Sequence, residues 1–229
     1  MRKDSIFRTS HRIQIGGEYL DLNRPAIMAI LNITDDSFFA GSRINKDEAL
    51  RRAGKLIEEG ADILDIGGYS SRPGAKNIPV REELDRVIPV INTMRREFPT
   101  IPISVDTFRG LVAREALEAG ANIVNDISAW SIDQTMLDTL VDKRPAYILM
   151  HMQGTPQTMQ NDPKYQNIIQ EQILFFSEKI NILTEFGIHD IIIDPGFGFG
   201  KTIAHNYELL SKLDAFNVLG RPILAGISR

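Results

Sequence analysis

The 229-residue sequence contains no cysteine. Disulfides and thiolate metal sites are therefore excluded, and the composition is compatible with a reducing compartment. No apolar run approaches the roughly 18 residues of a membrane helix. The N-terminal MRKDSIFRTSHRIQIGG has no apolar signal core. No Lys/Arg block stands out against a net charge of −4, which argues against nucleic acid or a polybasic membrane contact. No internal repeat, low-complexity segment or Gly/Ser linker divides the chain. These absences predict a cytoplasmic protein with no nucleic-acid and no membrane partner, and a single domain over residues 1–229. With 43% hydrophobic and 24% charged residues, the chain can build a sizeable core.

The most informative stretch is IIIDPGFGFGKT, residues 191–202. Three β-branched apolar residues predict a strand buried on both faces. Pro195 cannot donate to a ladder, so the strand ends there. The same layout recurs at residues 26–31, 62–66, 102–105, 122–124, 146–149 and 222–225, each an apolar run that leads into a loop. Helical spacing fills the gaps, which gives seven strands alternating with six helices. Such alternation requires a parallel sheet with right-handed crossovers. Polar residues at many strand ends fit a (β/α)8 TIM barrel better than a doubly wound sheet, which gathers ligands at one switch point. Residues 12–15 and 18–22 around Gly16-Gly17 predict a β-hairpin ahead of the barrel. Asn45 and Glu48 have capping-box spacing. Asp162 and Pro163 predict the cap and first position of a long helix reaching about Phe186.

Strand ends carry the candidate chemistry. Asp106, Asn125 and Asp194 are expected to converge at one barrel mouth. There they would hydrogen-bond a flat heterocycle with several N–H donors, because an ionised carboxylate only accepts. The alternative is that these residues cap helices. Asn32 and Asp36 bracket the first loop, and oxygen ligands of this kind suit Mg²⁺; they also suit a plain turn. Ser70-Ser71-Arg72-Pro73-Gly74 would hold an anion through Arg72 and the hydroxyls, or form a solvated turn. GFGFGKT is not a phosphate-binding loop, since three residues separate Gly196 from Gly200 where that motif needs four. Lys201 is therefore expected to be a loop or helix-start lysine. His151 has no second histidine at ligand spacing, which predicts a structural role. Met150 and Met152 would offer sulfur contacts to an aromatic ring.

Taken together, seven segments resemble the dihydropteroate synthases across almost the whole chain. They are ILNITDDSF (30–38), LDIGGYSSRPGA (64–75), ISVDTFR (103–109), NDIS (125–128), LMHMQGTPQTMQ (149–160), IIIDPGFGFGKT (191–202) and GISR (226–229). The resemblance implies a (β/α)8 barrel, usually a homodimer. It also implies a transferase of folate biosynthesis that joins p-aminobenzoate to 6-hydroxymethyl-7,8-dihydropterin pyrophosphate and releases pyrophosphate. By position, Asp106, Asn125 and Asp194 are implied to bind the pterin, with Met150 against its ring and Ser71 in the place of a family threonine. Asn32 is implied to be the Mg²⁺ ligand. Asp36 and Arg72, with Phe38 and Pro73, are implied to lie in the two loops that close over p-aminobenzoate.

Some positions depart from the family pattern. Asp35 stands in place of a proline, Phe39-Ala40 in place of Ser-Asp, and Tyr69-Ser70-Ser71 in place of Glu-Ser-Thr. The family lysine that follows Ser-Arg and the Arg-x-His of the eighth strand are not in the sequence. The resemblance thus predicts that the chain is a fragment, with roughly 40–50 further residues needed for two helices and a strand. Two rival readings are a methyltransferase domain acting on methyltetrahydrofolate and an inactive pterin-binding paralogue.

Overall fold

In the computed structural model, residues 12–33, 44–70 and 77–227 are described. The chain opens with the expected hairpin, β1 (Arg12–Ile15) and β2 (Glu18–Asp21), paired antiparallel. Gly16 and Gly17 both take positive φ, 60° and 91°, which a two-residue hairpin turn requires and glycine adopts without strain. Six parallel strands follow: β3 (Met28–Asn32), β4 (Ile63–Gly67), β5 (Ile103–Asp106), β6 (Ile123–Asp126), β7 (Ala146–Met150) and β8 (Ile191–Asp194). Each pairs with the next in chain order, the singly wound arrangement of a (β/α)8 barrel.

Helices α1 (Ile44–Glu58), α2 (Val80–Glu97), α3 (Gly110–Glu118), α4 (Thr135–Lys143), α5 (Ile168–Glu185) and α6 (Ile203–Ser211) fill the crossovers or follow β8. The expected seventh strand at 222–225 is reduced to a single parallel bridge between Ile193 and Ile223. Among the described residues β3 pairs with β4 alone, so the sheet is an arc, and Ile30 on β3 is 59% exposed. No helix among the described residues is long and apolar enough to cross a membrane.

Alternation along the strands divides the interior in two. Leu31, Leu64, Ile66, Val105, Val124 and Leu149 face outward and pack with Val87, Ile91, Met94, Val112, Leu140 and Phe176 into the main core. The opposite face forms a second, smaller core, in which Ile63, Ile123, Ala146, Ile148 and Ile192 meet Ile13 and Ile15 of the hairpin. The hairpin therefore stoppers the amino-terminal end of the strands. At the other end the inward positions turn polar, and the candidate site lies there.

Three boundaries differ from expectation. The helix predicted from Asp162-Pro163 starts at Ile168, and Asp162 instead takes a positive φ of 55°. Asn167 is its cap, with Oδ1 accepting from the Gln170 N–H at 3.1 Å. Glu171 Oε1 accepts from the Gln166 and Asn167 N–H groups at 2.7 and 2.9 Å. Helix α1 starts at Ile44, which places Asn45 inside it rather than at its cap. Helix α6 starts earlier than expected, because Thr202 and His205 form a capping box.

Candidate active site

The sheet register sets the site. Asn32 lies opposite Gly67, Gly67 opposite Asp106, and Asp106 opposite Asn125, while Met150 lies opposite Asp194. Gly67 has a steric reason. Asn32 Oδ1 and Asp106 Oδ2 lean over it, and a Cβ would sit 3.3 and 3.4 Å from them. A side chain at 67 would push the two groups apart. Asp106, Asn125, Asp194 and Asn32 are thus all found at the carboxyl ends of the strands, as their sequence positions predicted.

The interior beneath them is rich in buried acids. Asp194 accepts the Gly196 N–H at 2.7 Å, yet burial pushes its carboxyl up to about 6, with Lys201 opposing. Asp106 is raised well above the ordinary range, by burial first and then by the neighbouring charges of Asp65, Glu83 and Asp126. Asp65, buried one layer deeper on β4, is raised to about 6 by burial. Its Oδ2 accepts from Asn125 Nδ2 at 3.2 Å. Across the register stands Ser104, whose hydroxyl draws the Asp65 value down without completing a well-formed hydrogen bond. Asp65 Oδ1 and Ser104 Oγ remain unpartnered within the protein.

Lys201 lies in the loop just before the cap of α6, as expected, but it is buried. It is 3% exposed and donates to the carbonyls of Phe199 and His151 at 2.8 and 3.0 Å. Burial lowers it to about 7, against the pull of Asp194. It ties the glycine-rich loop after β8 to the end of β7. His151 has the structural setting expected of it: its ring stands edge-on to Phe175 at 4.9 Å, and burial first, then Lys201, lower it to about 3. Gly196 closes the same corner. Its φ is 68°, and a Cβ would collide with the His151 carbonyl.

One wall of the mouth is apolar. Met150 is buried with Tyr69, Ile78, Phe108 and Ile127, and Met152 and Phe199 pack at its edge. Tyr69 and Phe108 meet edge to face at 5.0 Å. Behind them lies a network that sequence reasoning missed. Glu83 of α2 is fully buried and accepts from Thr107 Oγ1 and Arg109 Nη1, both at 2.7 Å. Arg109 Nη2 donates to the Ile78 carbonyl at 2.7 Å. Nothing local separates Glu83 from its neighbour Glu82 except its place on the buried face of α2.

Asp36, Phe38, Ser71, Arg72 and Pro73 lie outside the described residues. No group of three or more His, Cys, Asp or Glu residues that would hold a metal occurs among the described residues. Among the described residues, the Asn32 amide oxygen, half-buried at the mouth beside Asp106, is of the kind a lightly coordinated cation takes.

The pterin-binding enzyme family matches residues 28–229. The dihydropteroate synthase of Haemophilus influenzae is 43% identical over 221 residues, covering 95% of this chain and 80% of that protein. The crystal structure of Yersinia pestis dihydropteroate synthase with a sulfonamide drug superposes with a TM-score of 0.88 at 40% identity. It covers 95% of this chain and 79% of that one. Xanthomonas albilineans dihydropteroate synthase in complex with 7,8-dihydropteroate gives a TM-score of 0.82 at 40% identity, with 95% and 78% covered. A barrel mouth lined by buried acids and an amide, in a sequence this similar throughout, has one family reading: the chain belongs to the pterin-binding enzymes, among the dihydropteroate synthases.

Proposed function

We propose that this chain condenses p-aminobenzoate with 6-hydroxymethyl-7,8-dihydropterin pyrophosphate to give 7,8-dihydropteroate and pyrophosphate. The amine nitrogen bonds to the exocyclic methylene carbon, the bond from that carbon to the pyrophosphate oxygen breaks, and the amine gives up a proton. The observation that carries the reading is the acceptor-rich set of Asp106, Asn125 and Asp194 at the carboxyl ends of β5, β6 and β8, above Asp65 and beside Met150.

A pterin presents a ring N–H and an exocyclic amino group along one edge, and carboxylates in a dry pocket are matched to them. In this reading Asp194 and Asp106 accept from the ring, Asn125 reads the edge between them, and Met150 packs against the ring face. Holding the ring deep fixes its methylene carbon at the mouth, where the amine must approach in line. The carbon is conjugated to an electron-rich ring, so the departure of pyrophosphate runs ahead of bond formation. An aromatic amine is a weak base and needs no strong general base, in keeping with a His151 held neutral against Phe175.

Asp36, Phe38, Ser71, Arg72 and Pro73 take the p-aminobenzoate and pyrophosphate roles that their positions imply. Asn32 offers its amide oxygen to Mg²⁺, which when bound neutralises the leaving pyrophosphate. We place the enzyme in the cytoplasm. We also take it to be a homodimer, for which exposed Ile203, Tyr207 and Leu210, along one side of α6, offer an apolar face.

The test is incorporation of labelled p-aminobenzoate into dihydropteroate by the protein with the pterin pyrophosphate and Mg²⁺. Product that disappears with Asp194→Ala supports the reading. No product, together with binding of methyltetrahydrofolate, refutes it.

A further inference from the structure

Asp65 lies on the inward face of β4, two residues below Gly67 and opposite Ser104 of β5, and is 4% exposed. The Asn125 Nδ2 donates to its Oδ2 at 3.2 Å. A side-chain amide has two unlike ends, an oxygen that accepts and a nitrogen that donates twice. An ionised carboxylate only accepts, so the nitrogen end alone satisfies Asp65. Burial raises the carboxyl to about 6, while the Ser104 hydroxyl and the Asn125 amide N–H both favour its ionised form. Turning the amide over would set its oxygen against the Asp65 carboxylate in the interior of the barrel, with only the Ser104 hydroxyl at hand to relieve them. The contact therefore uses one N–H of Asn125 and leaves its oxygen and its other N–H in a fixed order for a ligand.

We propose that Asp65 is a positioning residue of the pterin site: through its hydrogen bond it fixes the orientation of the Asn125 amide, and so the donor–acceptor order that Asn125 presents along the edge of the ring. This rests on the reading that Asn125 binds the pterin.

The decisive variant is Asp65→Asn. It keeps the volume, but its own amide can accept from Asn125 or donate to it, so both orientations become available. It also removes one charge from beside Asp106, which favours folding. The dissociation constant of 6-hydroxymethylpterin is measured by calorimetry for the wild type, Asp65→Asn, Asn125→Ala and the double variant, with melting curves alongside. Asp65→Asn is expected to weaken pterin binding about tenfold, as expected for losing a hydrogen bond to a charged group. Its melting temperature should hold or rise. KM for the pterin pyrophosphate should rise, and KM for p-aminobenzoate should stay unchanged. In the Asn125→Ala background the same change should weaken binding no further, because the effect runs through Asn125. Wild-type affinity in a folded Asp65→Asn overturns the proposal, and so does an equal loss with and without Asn125. If the wild type itself binds no pterin, the proposed function falls and the positioning role falls with it. If the wild type binds and Asp65→Asn binds equally well, only the positioning role falls.

Discussion

Replacing Asp194 with asparagine should make the folded protein more stable while emptying it of pterin affinity. The carboxyl is 8% exposed, and its pKa is lifted from 3.8 to about 6 by burial, which outweighs the Gly196 N–H and Lys201. A carboxyl whose value is raised by folding contributes its full stability below the unfolded pKa, where it is protonated in both states. That contribution is lost as pH rises from 3.8 through about 6, where the folded state must ionise it. At 1.36 kcal/mol per pKa unit the ionised form costs the folded state about 3 kcal/mol above pH 6. Asparagine carries no charge, and its oxygen can still accept the Gly196 N–H. The variant should therefore gain up to about 3 kcal/mol at pH 8 and almost nothing near pH 4. For a chain of this size that corresponds to a rise of roughly 6–12 °C in Tm at the upper pH. The assay is a set of melting curves for both proteins from pH 4 to 8, with pterin binding measured at pH 8. A stability difference that is the same at every pH refutes the electrostatic account. So does a variant less stable than the wild type at pH 8.

Arg109→Ala should remove the hydrogen-bonded counter-charge of the fully buried Glu83 and leave Arg86 as its remaining cation, at a cost of up to about 3–5 kcal/mol in urea denaturation. Glu83→Gln with Arg109 intact should cost less, because the amide oxygen can still accept from Thr107. Gly196→Ala should lose at least about 1–2 kcal/mol to the positive φ alone. Its collision with the His151 carbonyl should then displace the loop after β8, so that pterin binding falls by more than the stability change explains. Asn32→Ala should raise the Mg²⁺ concentration needed for half-maximal turnover and leave calorimetric binding of the free pterin unchanged. Equal turnover at limiting Mg²⁺ in both proteins would remove Asn32 as the cation's ligand.

Much of the barrel was legible because strands covered on both faces read as short apolar runs. Residues 102–105 became Ile103–Asp106 and residues 191–193 became Ile191–Asp194, shifts of a residue at most. The polar residues at those ends were visible for the same reason, since they interrupt the runs. The buried network was harder to see. Asp65 sits inside the apolar run Ile63–Gly67, and only its parity with Gly67 tells that it faces the interior. Lys201 looks like a surface residue after GFGFG, because its burial depends on carbonyls of His151 and Phe199 that the fold brings over it. The start of α5 was misplaced because two capping signals lie five residues apart, Asp162-Pro163 and Asn167 with Glu171. The second closes three hydrogen bonds to the helix start and wins.

Strand β6 ends in two polar neighbours that face opposite ways. Asn125 turns into the barrel, while Asp126 turns out and is fully buried, accepting from the Ser128 and Trp130 N–H groups at 2.8 Å and the Tyr147 hydroxyl at 2.9 Å. A slip of β6 by one residue would turn each to the opposite face. Slipped one way, the amide lands among donors shaped for a carboxylate. Slipped the other way, a further charge enters an interior already crowded with acids. The adjacent pair thus acts as a lock on alignment during folding, penalising misthreaded barrels before any substrate tests them. Sequence drift through this strand should accordingly be confined to its apolar residues, with insertions pushed out into the loops on either side.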